Sequence, residues 1–510
     1  MTPGQVLQDV FGYTGFRPGQ KEVVAQLLRG KDCVCIMPTG GGKSLCYQVP
    51  ALVLPGITLV VSPLISLMKD QVGALVQAGV RAAYLNSSLT PRQLQLAMQR
   101  ARDGWYRIIY VSPERLMTPA FLSLCAALTI SMVAVDEAHC VSQWGQDFRP
   151  EYRQIPAFLR TLPRRPVVGA FTATATPQVQ RDIRKWLELR DPFCMTTGFD
   201  RSNLRFFVES PRDKKAALLR FLRPRKRQSG IIYCATRKNV EDITEFLRDN
   251  GYPAVRYHAG LEPEERTKSQ EDFLFDRAPL IVATNAFGMG IDKSNVSFVV
   301  HYNMPQSLEA YYQEAGRAGR DGNRADCLLL YGKSDVMTAR FLIEHREESE
   351  NAFPLSPEER EEARQKDLEK LRQMTFYSTT HTCLRRFILR YFGQEYDQEN
   401  CGGCSVCLSL PRDSAAAPAR VSAPSRRRGI LQGDGTDVDP ALLEELKKVR
   451  LSFARRLGVP AFTIFTDATL LDMCRQRPQT PQELRQVSGV GESKLRRFGD
   501  AFLRVLTSRL

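Results

Sequence analysis

Met37-Pro38-Thr39-Gly40-Gly41-Gly42-Lys43-Ser44 follows an apolar run, Cys33 to Ile36, that reads as a buried strand. After Lys43 the chain reads as a helix start, Ser44-Leu45-Cys46-Tyr47-Gln48. Strand, glycine-rich loop and helix make a phosphate-binding loop credible. Glycines let successive N–H groups curl around an anion, and the helix N-terminus adds favourable partial charge. Lys43 is expected to reach the β- and γ-phosphates of ATP and Ser44 to hold Mg²⁺, with Thr39, Gly40, Gly41 and Gly42 forming the cradle. The G-x-x-x-x-G-K-[ST] pattern wants glycine at position 37 and finds methionine.

Upstream lies Phe11-Gly12-Tyr13-Thr14-Gly15-Phe16-Arg17-Pro18-Gly19-Gln20. Gln20 can present a donor and an acceptor to an adenine edge. Tyr13 is placed to stack on the base and Arg17 to support it. Before this, Val6 to Phe11 reads as a short amphipathic helix. Downstream, strands are expected at Ile57 to Val61, Ile108 to Val111, Met132 to Val135 and Val167 to Phe171. Helical stretches such as Leu64 to Ala78 and Arg92 to Arg102 lie between them. Such alternation predicts a parallel sheet with helices on both faces and working loops at the carboxyl ends of its strands. Asp136-Glu137-Ala138-His139 stands at one of those ends. Asp136 is expected to bind Mg²⁺, and Glu137 to orient or deprotonate an attacking water. His139 is either a coupling residue between nucleotide and nucleic acid or a plain hydrogen-bonding side chain.

The 510 residues suit about two to four domains, and 43% hydrophobic content supports ordinary cores. The formal net charge of +15 favours a polyanionic partner, nucleic acid ahead of membrane. No stretch is apolar enough to span a bilayer, and Met1-Thr2-Pro3-Gly4-Gln5 does not read as a signal peptide. Most of the 13 cysteines sit singly in apolar segments, the usage of a reduced, intracellular protein.

Further motifs make the chain resemble the RecQ family of DNA helicases, within superfamily two. Val60-Val61-Ser62-Pro63-Leu64-Ile65-Ser66-Leu67-Met68-Lys69-Asp70-Gln71 resembles the family's first DNA-contacting motif, with Ser62 toward DNA. Cys140-Val141-Ser142-Gln143-Trp144-Gly145-Gln146-Asp147-Phe148-Arg149-Pro150 resembles its aromatic-rich loop, the most family-specific feature. Trp144 and Phe148 offer stacking faces worth about 1–3 kcal/mol per unpaired base, and Arg149 a phosphate or stacking contact. Thr172-Ala173-Thr174-Ala175-Thr176-Pro177 resembles the motif linking hydrolysis to DNA movement, with Thr174 toward DNA.

A second αβ unit begins near Asn203, with strands at Gly230 to Tyr233, Leu280 to Ala283, Phe298 to His301 and Cys327 to Tyr331. It has no phosphate loop of its own. The two halves look like tandem RecA-like domains with the nucleotide between them. Tyr312-Gln313-Glu314-Ala315-Gly316-Arg317-Ala318-Gly319-Arg320-Asp321-Gly322 matches the family's last helicase motif. By that resemblance Arg320 is the arginine finger, and Arg317 and Gln313 complete the γ-phosphate environment. In Ala283-Thr284-Asn285-Ala286-Phe287-Gly288-Met289-Gly290-Ile291-Asp292, the resemblance turns Thr284 toward DNA and Asp292 toward the nucleotide cleft. His258, in Tyr257-His258-Ala259-Gly260-Leu261, is expected near the DNA backbone. The basic run Arg223-Pro224-Arg225-Lys226-Arg227 reads as a solvated loop.

Beyond Tyr331 the chain turns helical and charged, and Glu347 to Glu369 reads as an acid-rich solvated face. Cys383, Cys401, Cys404 and Cys407 form C-x₂-C-x₂-C plus one remote cysteine, a strong metal signal. Ferredoxin clusters start with the same spacing, but they want the fourth cysteine at position 411, which is proline. In RecQ enzymes this arrangement binds one Zn²⁺, chiefly for folding. Leu408 to about Val438 is a Pro/Ala/Ser-rich linker with a basic spot, too short for the winged helix that usually follows the zinc site. The largely helical tail resembles the HRDC domain through Gly458-Val459-Pro460-Ala461 and Ser488-Gly489-Val490-Gly491-Glu492-Ser493-Lys494. Its second stretch can cradle backbone phosphate, with Lys494 nearby; protein docking is the rival role.

The expected layout is α/β. Two RecA-like parallel-sheet domains (1–202 and 203–335) precede a helical zinc-binding domain (336–408), a linker (409–438) and an HRDC-like helical domain (439–510). The resemblance implies an ATP-dependent 3′–5′ DNA helicase of repair and recombination. Its cofactors would be ATP, Mg²⁺ and Zn²⁺; its partners single-stranded, tailed or branched DNA, with a single-strand-binding protein or other repair proteins possible. A cytoplasmic location goes with that, nucleoid-associated if the source is bacterial. Two rivals stand: an RNA helicase on the same scaffold, and a translocase, annealing or ATP-gated binding protein with weak unwinding.

Overall fold

The computed structural model describes residues 1–145, 148–226, 228–287, 293–345, 356–408 and 438–508. Asp292 and nearly all of the expected linker therefore lie outside the described residues.

The first lobe is a seven-stranded, all-parallel sheet. Its strands are β1 (Cys33–Ile36), β2 (Ile57–Val61), β3 (Ala82–Leu85), β4 (Ile108–Val111), β5 (Ile130–Val135), β6 (Val167–Thr172) and β7 (Phe193–Thr196), in the order β3-β4-β2-β5-β6-β1-β7. Strands β1, β2, β4 and β6 are buried along their whole length, because helices cover both faces of a parallel sheet. Residues of alternating direction feed two separate cores, one holding Val34, Ile36 and Val135, the other Cys33, Cys35 and Ala134.

The second lobe repeats the plan with six parallel strands: β8 (Leu204–Glu209), β9 (Ser229–Tyr233), β10 (Ala254–Tyr257), β11 (Leu280–Ala283), β12 (Val296–His301) and β13 (Ala325–Leu330), ordered β10-β11-β9-β12-β13-β8. The basic run before β9 is more structured than a solvated loop: Arg225 pairs with Asp326 at 2.5 Å, anchoring a 3₁₀ turn to β13.

The helix Pro357–Thr379 and the helix Leu384–Tyr391 pack on this lobe. Tyr377 reaches the Tyr311 hydroxyl at 3.3 Å, and Phe392 stacks on Phe199 with ring centroids 4.7 Å apart. The cysteine loop lies along β8: the Ser405 N–H donates to the Phe206 carbonyl (2.9 Å), and the Val208 N–H donates to Ser405 Oγ (3.2 Å). The tail is a separate helical unit, Pro440–Leu457 to Glu492–Thr507, around its own core of Leu446, Phe465, Leu470, Val490 and Phe502. Among the described residues no helix is long and apolar enough to cross a membrane.

Candidate functional site

The phosphate loop links β1 to the helix Lys43–Val53. Gly40 and Gly42 take left-handed φ of 80° and 85°, which only glycine adopts without strain. Met37 does not need that freedom. Its φ is negative, its N–H continues the sheet to the Thr172 carbonyl, and its side chain lies in the core beneath the loop. Lys43 Nζ donates to the Met37 carbonyl at 3.3 Å. Gln20 accepts from the Arg17 N–H (2.9 Å) and donates to the Gly42 carbonyl (3.0 Å), while Arg17 reaches the Gly40 carbonyl at 2.5 Å. The upstream motif thus braces the loop as well as bordering the expected base site.

Asp136 and Glu137 follow β5. Glu137 has φ 45°, a strained value for a residue with a side chain, which turns the two carboxylates into one cleft. Burial, then the neighbouring Glu137 charge, pushes the Asp136 carboxyl up to about 7. Burial also raises Glu137, but the His139 hydrogen bond and the Lys43 charge outweigh it and bring it to about 2. The charge of the pair therefore rests on Glu137, and the two carboxylates titrate as a pair. His139 is buried, with Nδ1 2.8 Å from Thr172 Oγ1 and 3.3 Å from Glu137 Oε2.

Gln313 on the helix Leu308–Ala315, with Arg317 and Arg320 just beyond it, faces these groups from the second lobe. One cavity of about 450 Å³ is lined by Tyr13, Arg17, Gln20, Thr39, Gly40, Gly42, Lys43, Ser44, Asp136, Glu137, Gln313, Arg317 and Arg320. Among the described residues, the structure brings together the expected nucleotide residues of both lobes, apart from His139, which stands behind Glu137, and Gly41; Asp292 lies outside the described residues. Arg201 is a residue that sequence reasoning missed. Its guanidinium donates to the Thr39 carbonyl in the first lobe, and to the Ala318 (3.1 Å) and Gly319 (2.8 Å) carbonyls in the second. A lone arginine in a linker carries no periodic or spacing signal that could have revealed it.

The expected DNA residues are placed less uniformly. Trp144 is 38% exposed, but Lys366 lies 4.8 Å over its ring, and Glu361 and Glu362 border the same depression. Lys366 also donates to Gln143 (3.1 Å) and Lys370 to the Gly145 carbonyl (2.9 Å), tying the aromatic loop to the helix Pro357–Thr379. Phe148 faces Arg153, whose guanidinium is sandwiched between Phe148 (5.0 Å) and Trp186 (4.3 Å). Arg149 donates to the Pro63 carbonyl at 3.1 Å, joining two expected DNA motifs. Ser62, Thr174, His258 and Thr284 are all buried, and His258 Nε2 is 2.6 Å from Glu241. Side-chain contact to DNA at these four would need the surrounding loops to move. Lys494 is not on an open phosphate-binding surface; it lines the cavity that holds Lys43 and Arg320, its ammonium 5.7 Å over Phe465. The tail is packed against the first lobe, which is what turns it there.

The Sγ atoms of Cys383, Cys401, Cys404 and Cys407 lie within 4.8 Å of one another. Four Zn–S bonds of about 2.3 Å need sulfurs a little closer than that, so the set suits tetrahedral Zn²⁺ with slight contraction. The Cys401 and Cys407 N–H groups each donate to a cysteine sulfur at 3.4 Å, as thiolate ligands favour.

Four family profiles match the chain: DEAD/DEAH box helicase over 17–183, helicase conserved C-terminal domain over 213–322, RecQ zinc-binding over 333–408 and HRDC domain over 439–506. The ATP-dependent DNA helicase RecQ of Bacillus subtilis is 38% identical across 98% of this chain and 97% of its own length. The protein of the same name from Pasteurella multocida is 36% identical across 98% and 93%. The Bacillus alignment runs over 587 positions, more than the chain's 510 residues, so that relative has sequence this chain does not. Among solved structures, Mss116p bound to ssRNA and AMP-PNP shares the fold at a TM-score of 0.57 and 16% identity, over 74% of this chain and 86% of that one. The DUF1998 helicase MrfA bound to DNA does so at 0.52 and 20%, over 68% and 52%.

Proposed function

The chain belongs to the RecQ family of ATP-dependent DNA helicases, and from that premise we propose that it moves 3′ to 5′ along a single DNA strand and opens tailed or branched duplexes during repair and recombination. ATP hydrolysis drives it, DNA is its partner, and its four-cysteine cluster holds zinc. The observation that carries the reading is the shared cavity, with Lys43, Asp136 and Glu137 on one wall and Gln313, Arg317 and Arg320 on the other.

Hydrolysis then needs both walls together. Lys43 meets the β- and γ-phosphates, Glu137 orients and deprotonates the attacking water, and Arg320 enters as the arginine finger. Gln313 and Arg317 complete the γ-phosphate environment. Asp136, buried at the cavity wall, and Ser44 beside it would hold a divalent cation. Mg²⁺ at that place would supply neutralisation of phosphate charge. Loss of the γ-phosphate weakens the hold between the walls, and His139 passes that change from Glu137 to Thr172, at the start of the Thr172–Pro177 motif. The boundaries 1–202, 203–335, 336–408, 409–438 and 439–510 are the domain limits we assign.

Matched duplexes with a 3′ tail, a 5′ tail or no tail test the reading. ATP-dependent opening of the 3′-tailed duplex alone is expected, and opening of the 5′-tailed duplex alone would overturn the polarity. Lys43→Ala is expected to abolish turnover. Failure to unwind, with ATPase still stimulated by single strands, would favour the translocase reading, for which the covered face of Trp144 speaks.

A further inference from the structure

The tail is docked on the nucleotide end of the first lobe. Arg485 pairs with Asp9 at 2.5 Å, and the Gly489 N–H donates to the Gly12 carbonyl at 2.8 Å, next to Tyr13. Ser493 Oγ donates to the Gln77 carbonyl at 3.1 Å. Gly12 and Gly491 meet backbone to backbone: a Cβ on Gly12 would stand 2.5 Å from the Gly491 nitrogen, and one on Gly491 would stand 2.7 Å from the Val10 carbonyl oxygen. The docked tail contributes Phe462, Thr463, Thr466 and Lys494 to the lining of the cavity that holds Lys43 and Arg320. Phe462 also packs against the large hydrophobic cluster of the two lobes. Asp467 is close enough to Lys293 and Asp321 of the second lobe to bias both. The tail is therefore bonded to the first-lobe wall and shares the lining of one cavity with the second-lobe wall.

We propose that this C-terminal domain is the outer wall of the nucleotide site, with the Lys494 ammonium contacting the bound nucleotide's anionic groups and the docked domain slowing nucleotide exchange. This rests on the assignment of the cavity as the ATP site. The chemistry favours it over an accessory DNA contact. A primary amine that lines a cavity beside a phosphate loop, next to the Phe465 ring, is placed to meet an anion when that cavity is filled. Burial, then the nearby Arg497, pulls its pKa down to about 8.

The test uses the full chain and fluorescent ADP, with release followed by stopped flow and single-strand affinity measured in parallel. Gly491 has an ordinary φ of −82°, so a side chain there disturbs the docking and not the domain. Gly491→Val is expected to speed ADP release about tenfold. Lys494→Met should weaken ADP binding by about the same factor, the loss of one charge-assisted contact, and Lys494→Arg should restore most of it. Single-strand affinity should stay within about twofold in all three. Unchanged ADP release and affinity in both Gly491→Val and Lys494→Met would overturn the proposal, as would loss of DNA affinity alone. Lys43→Ala separates the underlying assignment: if it binds ADP like the parent, the cavity is not the nucleotide site.

Discussion

His139 Nδ1 lies 2.8 Å from Thr172 Oγ1. That contact joins the carboxylate loop after β5 to the threonine motif after β6, and the same ring nitrogen is 3.3 Å from Glu137. The imidazole therefore contacts both the Glu137 carboxylate and the Thr172–Pro177 loop, whose Thr174 N–H also binds Thr172 Oγ1 at 3.2 Å. His139→Ala is expected to leave ATP binding intact and to reduce unwinding per ATP consumed by about tenfold or more, in line with the loss of a buried hydrogen-bond bridge. Parallel ATPase and unwinding assays check it. Equal loss in both would make His139 a plain support for Glu137.

Arg201 ties the Thr39 carbonyl to the Ala318 and Gly319 carbonyls and so holds the phosphate loop against the arginine-bearing turn. Its planar fork serves several acceptors at once, which a lysine cannot do. Arg201→Lys should lower kcat about as much as Arg201→Ala, by about 10²-fold, with KM for ATP moving less. Steady-state kinetics on both variants decide it, with thermal melting to confirm folding.

Trp144 keeps one ring face toward Lys366 and remains partly exposed. Trp144→Ala is expected to reduce DNA-stimulated turnover more than basal turnover, by about 1–3 kcal/mol in DNA affinity if the ring stacks on a base. Lys370→Met, which removes the tether to the Gly145 carbonyl, should free the loop and raise single-strand affinity. Anisotropy titrations with a labelled single strand read both.

Cys404 is fully buried among the metal ligands. Cys404→Ser or exhaustive chelation should lower the melting temperature by several degrees, because metal binding is folding energy for such a loop. Zinc content measured alongside melting checks this, and an unchanged melting temperature in zinc-free protein would contradict it.

Lys494 has a pKa of about 8 where it sits, against about 10.4 in open solvent. Between those values the undocked or unfolded tail binds more protons than the docked one, so stability rises with pH across that window and is level below it. The charged groups lining its cavity are Arg17, Lys43, Asp136, Glu137, Arg317 and Arg320, and Arg497 is close by. Lys494→Met retains all of these. The melting-temperature gain of Lys494→Met over the parent should therefore shrink from pH 8 to pH 10.

The strands named from the sequence were the central ones, and the four it did not reveal, β3, β7, β8 and β10, are the outer strands of the two sheets. Central parallel strands are covered on both faces and read as unbroken apolar runs such as Ile57–Val61. An edge strand is half solvated: Phe193–Thr196 has no fully buried residue, and Leu204–Glu209 alternates. Its apolar signal is correspondingly thin. The residues expected at the nucleotide could be named, and their meeting around one cavity anticipated, for a different reason: phosphate chemistry fixes the type and spacing of such residues along a chain. Arg201 and the tail's place over the cleft depend on contacts between segments far apart in sequence, which no local pattern encodes.

The Ser405 contacts with Phe206 and Val208 have one more consequence. Strand β8 is the outermost of its sheet, and the cysteine loop occupies hydrogen-bonding groups that would otherwise be open to a strand from another molecule. A metal held by the loop would thereby also guard against self-association. Stripped of it, the protein would lose solubility through that border, with molecules joining side by side before either lobe had unfolded.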